Sequence, residues 1–158
     1  MPFLNQSQKD VANFFAFGIK ASKASTAYTS TIAQTLFTVA GGRCVVTLFM
    51  AVVTTIHQAT TLNIKTQTAP TAGTAVALST DVDTTGLEAG GTLFVEGDGT
   101  ATVKANGGVV LASTTALRQG FVVTTGTITF TPSATATGAT LWDIWYLPLD
   151  DGASIVSA

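Results

Sequence analysis

The sequence contains few charged residues. Asp, Glu, Lys and Arg make up 10% of its 158 residues, against about 25% in an average globular domain. Seven basic and nine acidic residues give a formal net charge of −2, with no basic cluster of the kind that neutralises phosphates. The charge balance therefore argues against binding to nucleic acid and against docking on an anionic membrane surface.

Cysteine and histidine are almost absent. A single cysteine, Cys44, excludes an intrachain disulfide, and with the single histidine, His57, it cannot supply the three or four ligands of a zinc site. We interpret His57 as a strand-end residue with ordinary solvation. No Gly-x-Ser-x-Gly elbow or phosphate-binding loop is present. We therefore predict no catalytic residues, no metal ligands and no cofactor.

One acidic stretch partly matches a calcium loop. Asp81, Asp83 and Gly86 fit the first half of the pattern, but the twelfth position is Thr92 instead of the bidentate glutamate. We interpret this stretch as a solvated acidic loop.

Long hydrophobic runs are also missing. The apolar run from Cys44 to Ile56 is interrupted by threonines and falls short of the ~20 residues that a spanning helix needs. A second run, Val11 to Ile19, follows Asp10 and precedes Lys20, the reverse of the charge order in a signal peptide. We expect neither membrane insertion nor export.

The residues that are abundant favour β-structure. The chain is 46% hydrophobic and has 30 threonines and 15 glycines, a composition that suits short strands separated by turns. From residue 32 onward about eight to ten such strands follow one another, which predicts an all-β antiparallel sandwich, jelly-roll-like in topology. Within it, the runs 32–39 and 43–55 around Gly41-Gly42 are expected to form a hairpin. In residues 127–131 threonines alternate with apolar residues, which indicates a sheet with one wet face.

We interpret residues 1–31 as an N-terminal arm and predict that residues 32–158 form the sandwich domain. Apolar positions at helical spacing predict a short amphipathic helix over 8–19, followed by a linker over 21–31. The arm has more apolar residues than a free terminus needs, so we predict that it docks on another protein. The predicted docking residues are Phe3, Leu4, Phe14, Phe15, Phe17 and Ile19.

The last long strand is apolar on both faces. We assign Leu141, Trp145 and Leu147 to the core, which leaves the other face for a neighbouring subunit. The predicted interface residues are Trp142, Ile144 and Tyr146. Asp143 shares the predicted core side, so it should lie near an edge or accept a hydrogen bond, because an unpaired buried carboxylate is costly.

Several segments together resemble a known class of proteins. They are Leu36-Phe37-Thr38-Val39-Ala40-Gly41-Gly42-Arg43 before the apolar strand, Asn63-Ile64-Lys65, Ala69-Pro70-Thr71, and Trp142 through Trp145-Tyr146-Leu147-Pro148-Leu149-Asp150-Asp151-Gly152-Ala153. In these segments the chain resembles small structural proteins of tailed-bacteriophage virions, of the head decoration or cement type. The resemblance covers roughly residues 34–158 and does not include the arm.

The resemblance implies a function and partners. It implies a compact, non-enzymatic β-protein that sits on the capsid exterior, binds the major capsid protein lattice and stabilises the head. It also implies assembly in the reducing cytoplasm of a bacterial host. We expect the protein to be a homo-oligomer, dimeric or trimeric, with the arm as its capsid-docking element.

Two other readings remain open. The chain could be a receptor- or glycan-binding virion module, such as a head fibre or tail component, that uses Trp142, Trp145 or Tyr146 to stack on sugars. It could also be a small enzyme of unknown type. Copy number discriminates between the first two, because a cement protein is present in hundreds of copies per particle and a fibre component in a few.

Overall fold

The computed structural model describes residues 17–25, 28, 32–58, 61–97, 103–105 and 120–158. These residues form strands joined by turns. The strands are β1 (Ile19–Ser25), β2 (Gln34–Ala40), β3 (Cys44–Thr55), β4 (Asn63–Pro70), β5 (Val76–Ala77), β6 (Val82–Asp83), β7 (Thr92–Phe94), β8 (Val103–Ala105), β9 (Phe121–Val123), β10 (Gly126–Pro132), β11 (Ala139–Pro148) and β12 (Ser154–Ser157).

Two antiparallel sheets pack against each other. Sheet A has the strand order β1-β11-β3-β7-β8, with β9 also paired to β3, and sheet B has the order β12-β2-β10-β4-β5, with β6 also paired to β4. The largest fully buried side chains come from both sheets and from the connection after β1: Trp142, Tyr28, Phe37, Phe49, Phe130, Leu36, Leu62, Ile64, Leu93, Ile128, Ile144 and Ile155. The predicted all-β antiparallel sandwich is confirmed.

The chain crosses from one sheet to the other along much of its length. β1 and β3 lie in sheet A while β2 and β4 lie in sheet B, and β10, β11 and β12 alternate in the same way. The prediction of a hairpin around Gly41-Gly42 is therefore wrong, because β2 and β3 belong to different sheets. β2 pairs with β10 and β12, and β3 pairs with β11 on one side and with β7 and β9 on the other.

The arm reaches further into the sandwich than predicted. Residues 21–25, expected to be linker, belong to β1, which pairs with β11 from Ile19 opposite Tyr146 to Ser25 opposite Thr140. The sandwich therefore includes residues before 32. The composition of β1, mainly alanine, serine and lysine, does not predict a strand, because alanine and lysine are depleted in strands. Residues 8–16 of the predicted helix lie outside the described residues.

Most of the other predicted strands exist with shifted ends. β4 runs to Pro70, beyond the predicted end at Thr66, whereas β5 has two residues. In β10, Ile128 and Phe130 are buried and Thr127 and Thr131 are half-buried, as the predicted alternation requires, but the middle threonine, Thr129, is buried as well, so the wet face is interrupted there. The predicted strand at 109–112 lies outside the described residues.

Two turns that are far apart in sequence meet at one end of the sandwich. The turn between β2 and β3 contributes Arg43, whose Nε and terminal nitrogen donate to the two carboxylate oxygens of Asp150 at 3.0 and 2.7 Å. The backbone amide of Arg43 also donates to Asp150, and that of Leu149 donates to the carbonyl of Arg43. These contacts lower the pKa of Asp150 to about 2. Two of the segments that carry the family resemblance are therefore one structural unit.

A substitution at Gly41 tests whether the contact between the two turns stabilises the protein. The backbone of Gly41 has φ +74, and an added Cβ would lie 2.2 Å from the carbonyl oxygen of Gly152. Gly86 is a matched control: its φ is +64, but nothing lies within 4 Å of its added Cβ. In denaturant unfolding we expect Gly86→Ala to cost about 1 kcal/mol from backbone strain alone, and Gly41→Ala to cost about 2 kcal/mol more, because the turns must also separate. Equal losses for the two variants would show that the contact between the turns contributes nothing.

Candidate functional site

The structure reverses the predicted faces of β11. Trp142 is 1% exposed and packs in the core, where its ring lies near Phe49 and Phe130, and Ile144 and Tyr146 are buried beside it. The prediction that Trp142, Ile144 and Tyr146 form a subunit interface is wrong. Because neighbouring residues of a strand point to opposite faces, Leu141, Trp145 and Leu147 instead lie on the outer face of sheet A.

The outer face of sheet A is rich in apolar side chains. Residues directly opposite each other on paired strands share a face, so the register places Leu147, Val45 and Val122 in one row across β11, β3 and β9. Leu147 is 40% exposed and Val122 55% exposed. We call this surface the apolar face, and it consists of Val45, Leu48, Met50, Val52, Val122, Leu141, Trp145 and Leu147.

One charged side chain, Asp143, lies among the outward-facing residues of β3 and β11, and its charge is balanced within the chain. Its two carboxylate oxygens bind Lys20 Nζ at 3.0 Å and the Ser22 hydroxyl at 2.5 Å. Both partners belong to β1, and Ser22 is directly opposite Asp143 in the register. Lys20 Nζ also lies 4.8 Å from the centre of the Trp145 ring. The expected hydrogen bond to Asp143 is present, but on the outer face instead of in the core.

The outer face of sheet B has the opposite character. Its register aligns Thr38 with Thr127 and Thr131 with Lys65, and Val156 next to Thr38 is its exposed apolar residue, 50% exposed. We call this surface the threonine face; its residues are Thr35, Thr38, Lys65, Gln67, Thr127, Thr131 and Val156. The two outer faces of the sandwich therefore differ in character, polar on sheet B and mostly apolar on sheet A.

Two of the predicted docking residues of the arm are described, and both are exposed. Phe17 lies over the margin of the apolar face, with its ring centre 6.4 Å from that of Trp145, and its carbonyl accepts a hydrogen bond from the Thr47 hydroxyl. Ile19 is at the start of β1 and does not belong to the core. Phe3, Leu4, Phe14 and Phe15 lie outside the described residues.

A buried polar cluster lies at the end of the sandwich opposite the paired turns. His57 is 1% exposed, so the prediction of ordinary solvation is wrong. Its Nε2 lies 2.9 Å from the Tyr28 hydroxyl and 3.0 Å from the Thr140 hydroxyl, and these two hydroxyls also bond to each other. Through this cluster Tyr28 ties the connection between β1 and β2 to sheet A, and its ring also packs on Phe130 of sheet B. The cluster is enclosed, so we assign it a structural role.

Burial makes His57 a poor proton acceptor. It lowers the pKa of His57, although the backbone of Thr84 offsets part of this effect, and no described residue gives Nδ1 a hydrogen bond of normal geometry. The same burial raises the pKa of Tyr28. Both side chains are therefore neutral at physiological pH.

Over the described ranges, the His, Cys, Asp and Glu side chains do not form a metal-binding cluster. No group of three His, Cys, Asp or Glu residues there could hold a metal ion, and no helix is long and apolar enough to span a membrane. Asp83, from the partial calcium pattern, accepts a hydrogen bond from the Thr85 amide at 2.9 Å. Cys44 is a free, buried thiol whose pKa is raised by desolvation. The open groove between Lys65, Asp81 and Ser133 brings together one base and one acid.

Comparison with known proteins adds no relative. No family model, curated protein or solved structure matches this chain.

The sequence did not reveal the role of Lys20. The one available signal was Asp143, a carboxylate within an apolar strand, which required a partner somewhere in the chain. Seven basic residues were available, and none could be selected without knowing that β1 pairs with β11.

The buried histidine predicts a stability change in mild acid. As pH falls below His57's ordinary pKa of 6.5, the unfolded chain binds a proton that the folded protein does not yet accept. The free energy of unfolding should therefore decrease from pH 7.5 to 5.5. His57→Gln, whose amide can still bond Tyr28 and Thr140, should remove this slope in urea titrations. A variant that keeps the full slope would assign it to another group.

The Lys20–Asp143 pair predicts a second stability change. Lys20→Met leaves the carboxylate of Asp143 on Ser22 alone, and we expect a loss of about 1 to 2 kcal/mol in the free energy of unfolding. Lys65→Met, on the threonine face, is the control and should change stability by less than about 0.5 kcal/mol. Adding Asp143→Leu to Lys20→Met should recover most of the loss. If it does not, Lys20 stabilises the protein through Trp145 instead.

Proposed function

We propose that this protein is a non-enzymatic decoration, or cement, protein of a tailed-bacteriophage head. It binds the major capsid protein lattice on the exterior of the virion, self-associates, and stabilises the shell. Each copy adds contact area across a boundary between capsid subunits, so rupture of the shell must break these contacts too.

The observation that carries the proposal is the difference between the two outer faces. A sandwich that worked alone in water would need two polar outer faces, yet the apolar face has one charged residue on β3 and β11, and Lys20 neutralises it. Contiguous exposed apolar surface on a soluble protein marks a contact with another protein. The threonine face is suited to solvent, whereas the apolar face is suited to a contact between protein subunits.

The strand order supports the jelly-roll part of the proposal. The first four strands pair with the last strands, β1 and β3 with β11 and β2 and β4 with β10. This is the order obtained when one long antiparallel hairpin is rolled into two sheets, which is the jelly-roll arrangement found in viral capsid proteins.

The arm supplies the proposed contact with the capsid. Phe17 and Ile19 are exposed where the chain joins the sandwich, and neither is needed to complete the core. The apolar residues before them, Phe3, Leu4, Phe14 and Phe15, continue this character towards the N-terminus. Aromatic anchors of this kind dominate the energetics of protein interfaces.

The receptor- or glycan-binding alternative loses most of its support. Of its three aromatic residues, Trp142 and Tyr146 are core residues. Trp145 remains on the surface, but Lys20 lies against its ring, so the ring does not offer a free stacking platform to a sugar.

Particles assembled without the protein test the proposal. They should form shells of normal geometry but release DNA at a lower temperature and after milder osmotic shock, because the added contacts are missing. Purified protein should restore resistance with saturable stoichiometry. A variant lacking residues 1–16 should keep the β-sheet circular dichroism spectrum but restore little, since β1 begins after the deletion.

One result would contradict the cement function, and another would contradict the role of the arm. Undecorated particles that survive heating as well as complete ones but fail to adsorb to cells would overturn the cement function and support the receptor-binding alternative. Full restoration by the variant without residues 1–16 would remove the arm from the capsid contact.

A further inference from the structure

One row of residues across the apolar face has charges at its two ends. The register places Lys20 opposite Trp145, and Trp145 opposite Leu48. Beyond Leu48, the bond from the Val95 amide to the Phe49 carbonyl, at 3.0 Å, continues the pairing of β3 and β7 by one residue. Glu96 therefore comes next to Leu48, and the two line the same pocket. The row reads Lys20, Trp145, Leu48, Glu96: a cation, two apolar side chains and an anion.

This row is complementary to itself. A two-fold axis parallel to the strands, passing between β11 and β3, places each row over a second copy in reverse order. Lys20 of each copy then faces Glu96 of the other, and Trp145 of each copy packs on Leu48 of the other. Such a contact is isologous and closed, because each patch meets the same patch of its partner.

The other rows of the apolar face can also be placed over a second copy by this two-fold axis. The row of Leu147, Val45 and Val122 is apolar throughout, and so is the pair Leu141 and Val52. Asp143 would face Met50 of the other copy, and its carboxylate is already bonded to Lys20 and Ser22. Covering it therefore does not bury a lone carboxylate, which is the usual obstacle, and Lys20 would then lie between Asp143 of its own chain and Glu96 of the other.

We infer that the apolar face is a homodimer interface whose occupant is a second copy of this chain, packed face to face through the row Lys20–Trp145–Leu48–Glu96. The inference rests on the self-association within the proposed function and specifies its surface and symmetry. An interface this apolar is typical of homodimers, whereas contacts between proteins that exist separately are more polar.

The area of the apolar face determines how stable a dimer we expect. Four strands about 4.8 Å apart and six residues along β11 give a projected area of roughly 400 Å², below the ~800 Å² per partner of a standard interface. We therefore expect a reversible dimer that forms and dissociates across an accessible range of protein concentration.

Sedimentation velocity over a concentration series measures this equilibrium in the full chain. Leu147→Glu places a charge in an apolar row and should weaken dimerisation at least tenfold. Val156→Glu is the matched control, because Val156 is similarly exposed but lies on the threonine face; it should leave the dissociation constant unchanged. Circular dichroism and the thermal midpoint establish that both variants are folded.

A charge exchange tests the symmetry. Glu96→Lys puts two lysines opposite each other at both ends of the row and should weaken the dimer, whereas Glu88→Lys, the same change of charge outside the face, should not. Lys20→Glu should weaken it by the opposite repulsion, measured on a variant that circular dichroism shows to be folded, because the same change places a second carboxylate beside Asp143. Mixed together, the Glu96→Lys and Lys20→Glu variants should associate more tightly than either alone, because both ends of the row then pair opposite charges. Raising the salt concentration should narrow these differences.

Three outcomes would overturn the inference. The first is a wild-type protein that stays monomeric up to the highest soluble concentration, and the second is equal weakening by Leu147→Glu and Val156→Glu. The third is a variant without residues 1–16 that dimerises while the full chain does not, which would make the chain's own arm the occupant. A monomer that still protects particles from heating would refute the dimer and leave the proposed function standing.

Discussion

The carboxylate of Asp143 constrains how β11 and β1 are placed in the sandwich. It occupies the middle of a strand that is otherwise apolar on both faces, and it is tolerable only where Lys20 and Ser22 can reach it. Both partners come from β1, so the edge strand and the orientation of β11 depend on each other. With Asp143 outward, alternation sends Trp142 inward to pack on Phe49 and Phe130. Trp145 is thereby left outside.

The connectivity explains why distant parts of the sequence form single structural units. Because the early strands pair with the late ones, the turn before β3 and the turn after β11 meet, and Arg43 binds Asp150 across 107 positions of sequence. At the other end of the same strands, Tyr28, His57 and Thr140 join three separate segments. Both ends of the sandwich are therefore closed by polar contacts that no local stretch of sequence could form.

The sequence predicts the class of this fold well, because strand periodicity and turn residues are local properties. The alternation in β10 and the long strand β3 follow directly from side-chain types. Pairing is not local. β1 has the composition of a linker, and only β11 turns it into a strand. The hairpin around Gly41-Gly42 was wrong for the same reason: the sequence permits a tight turn there but does not say that the flanking strands enter different sheets.

The faces of β11 show where sequence reasoning reaches its limit. A strand with apolar residues on both faces offers two assignments, and the choice depends on what each face meets. The sequence interpretation placed the face of Leu141, Trp145 and Leu147 in the core although Asp143 shares it, whereas in the structure Trp142 fits the space between the sheets beside Phe49 and Phe130. The three residues left outside give the apolar face much of its bulk.

The low charge of the chain follows from the same arrangement. An isolated domain keeps itself soluble by distributing charge over all of its surface, and here the threonine face achieves solvation with hydroxyl groups. On the apolar face, the carboxylate of Asp143 is already paired with Lys20 of the same chain. Covering the middle of this face therefore buries no lone carboxylate, which is what the proposed function requires of it.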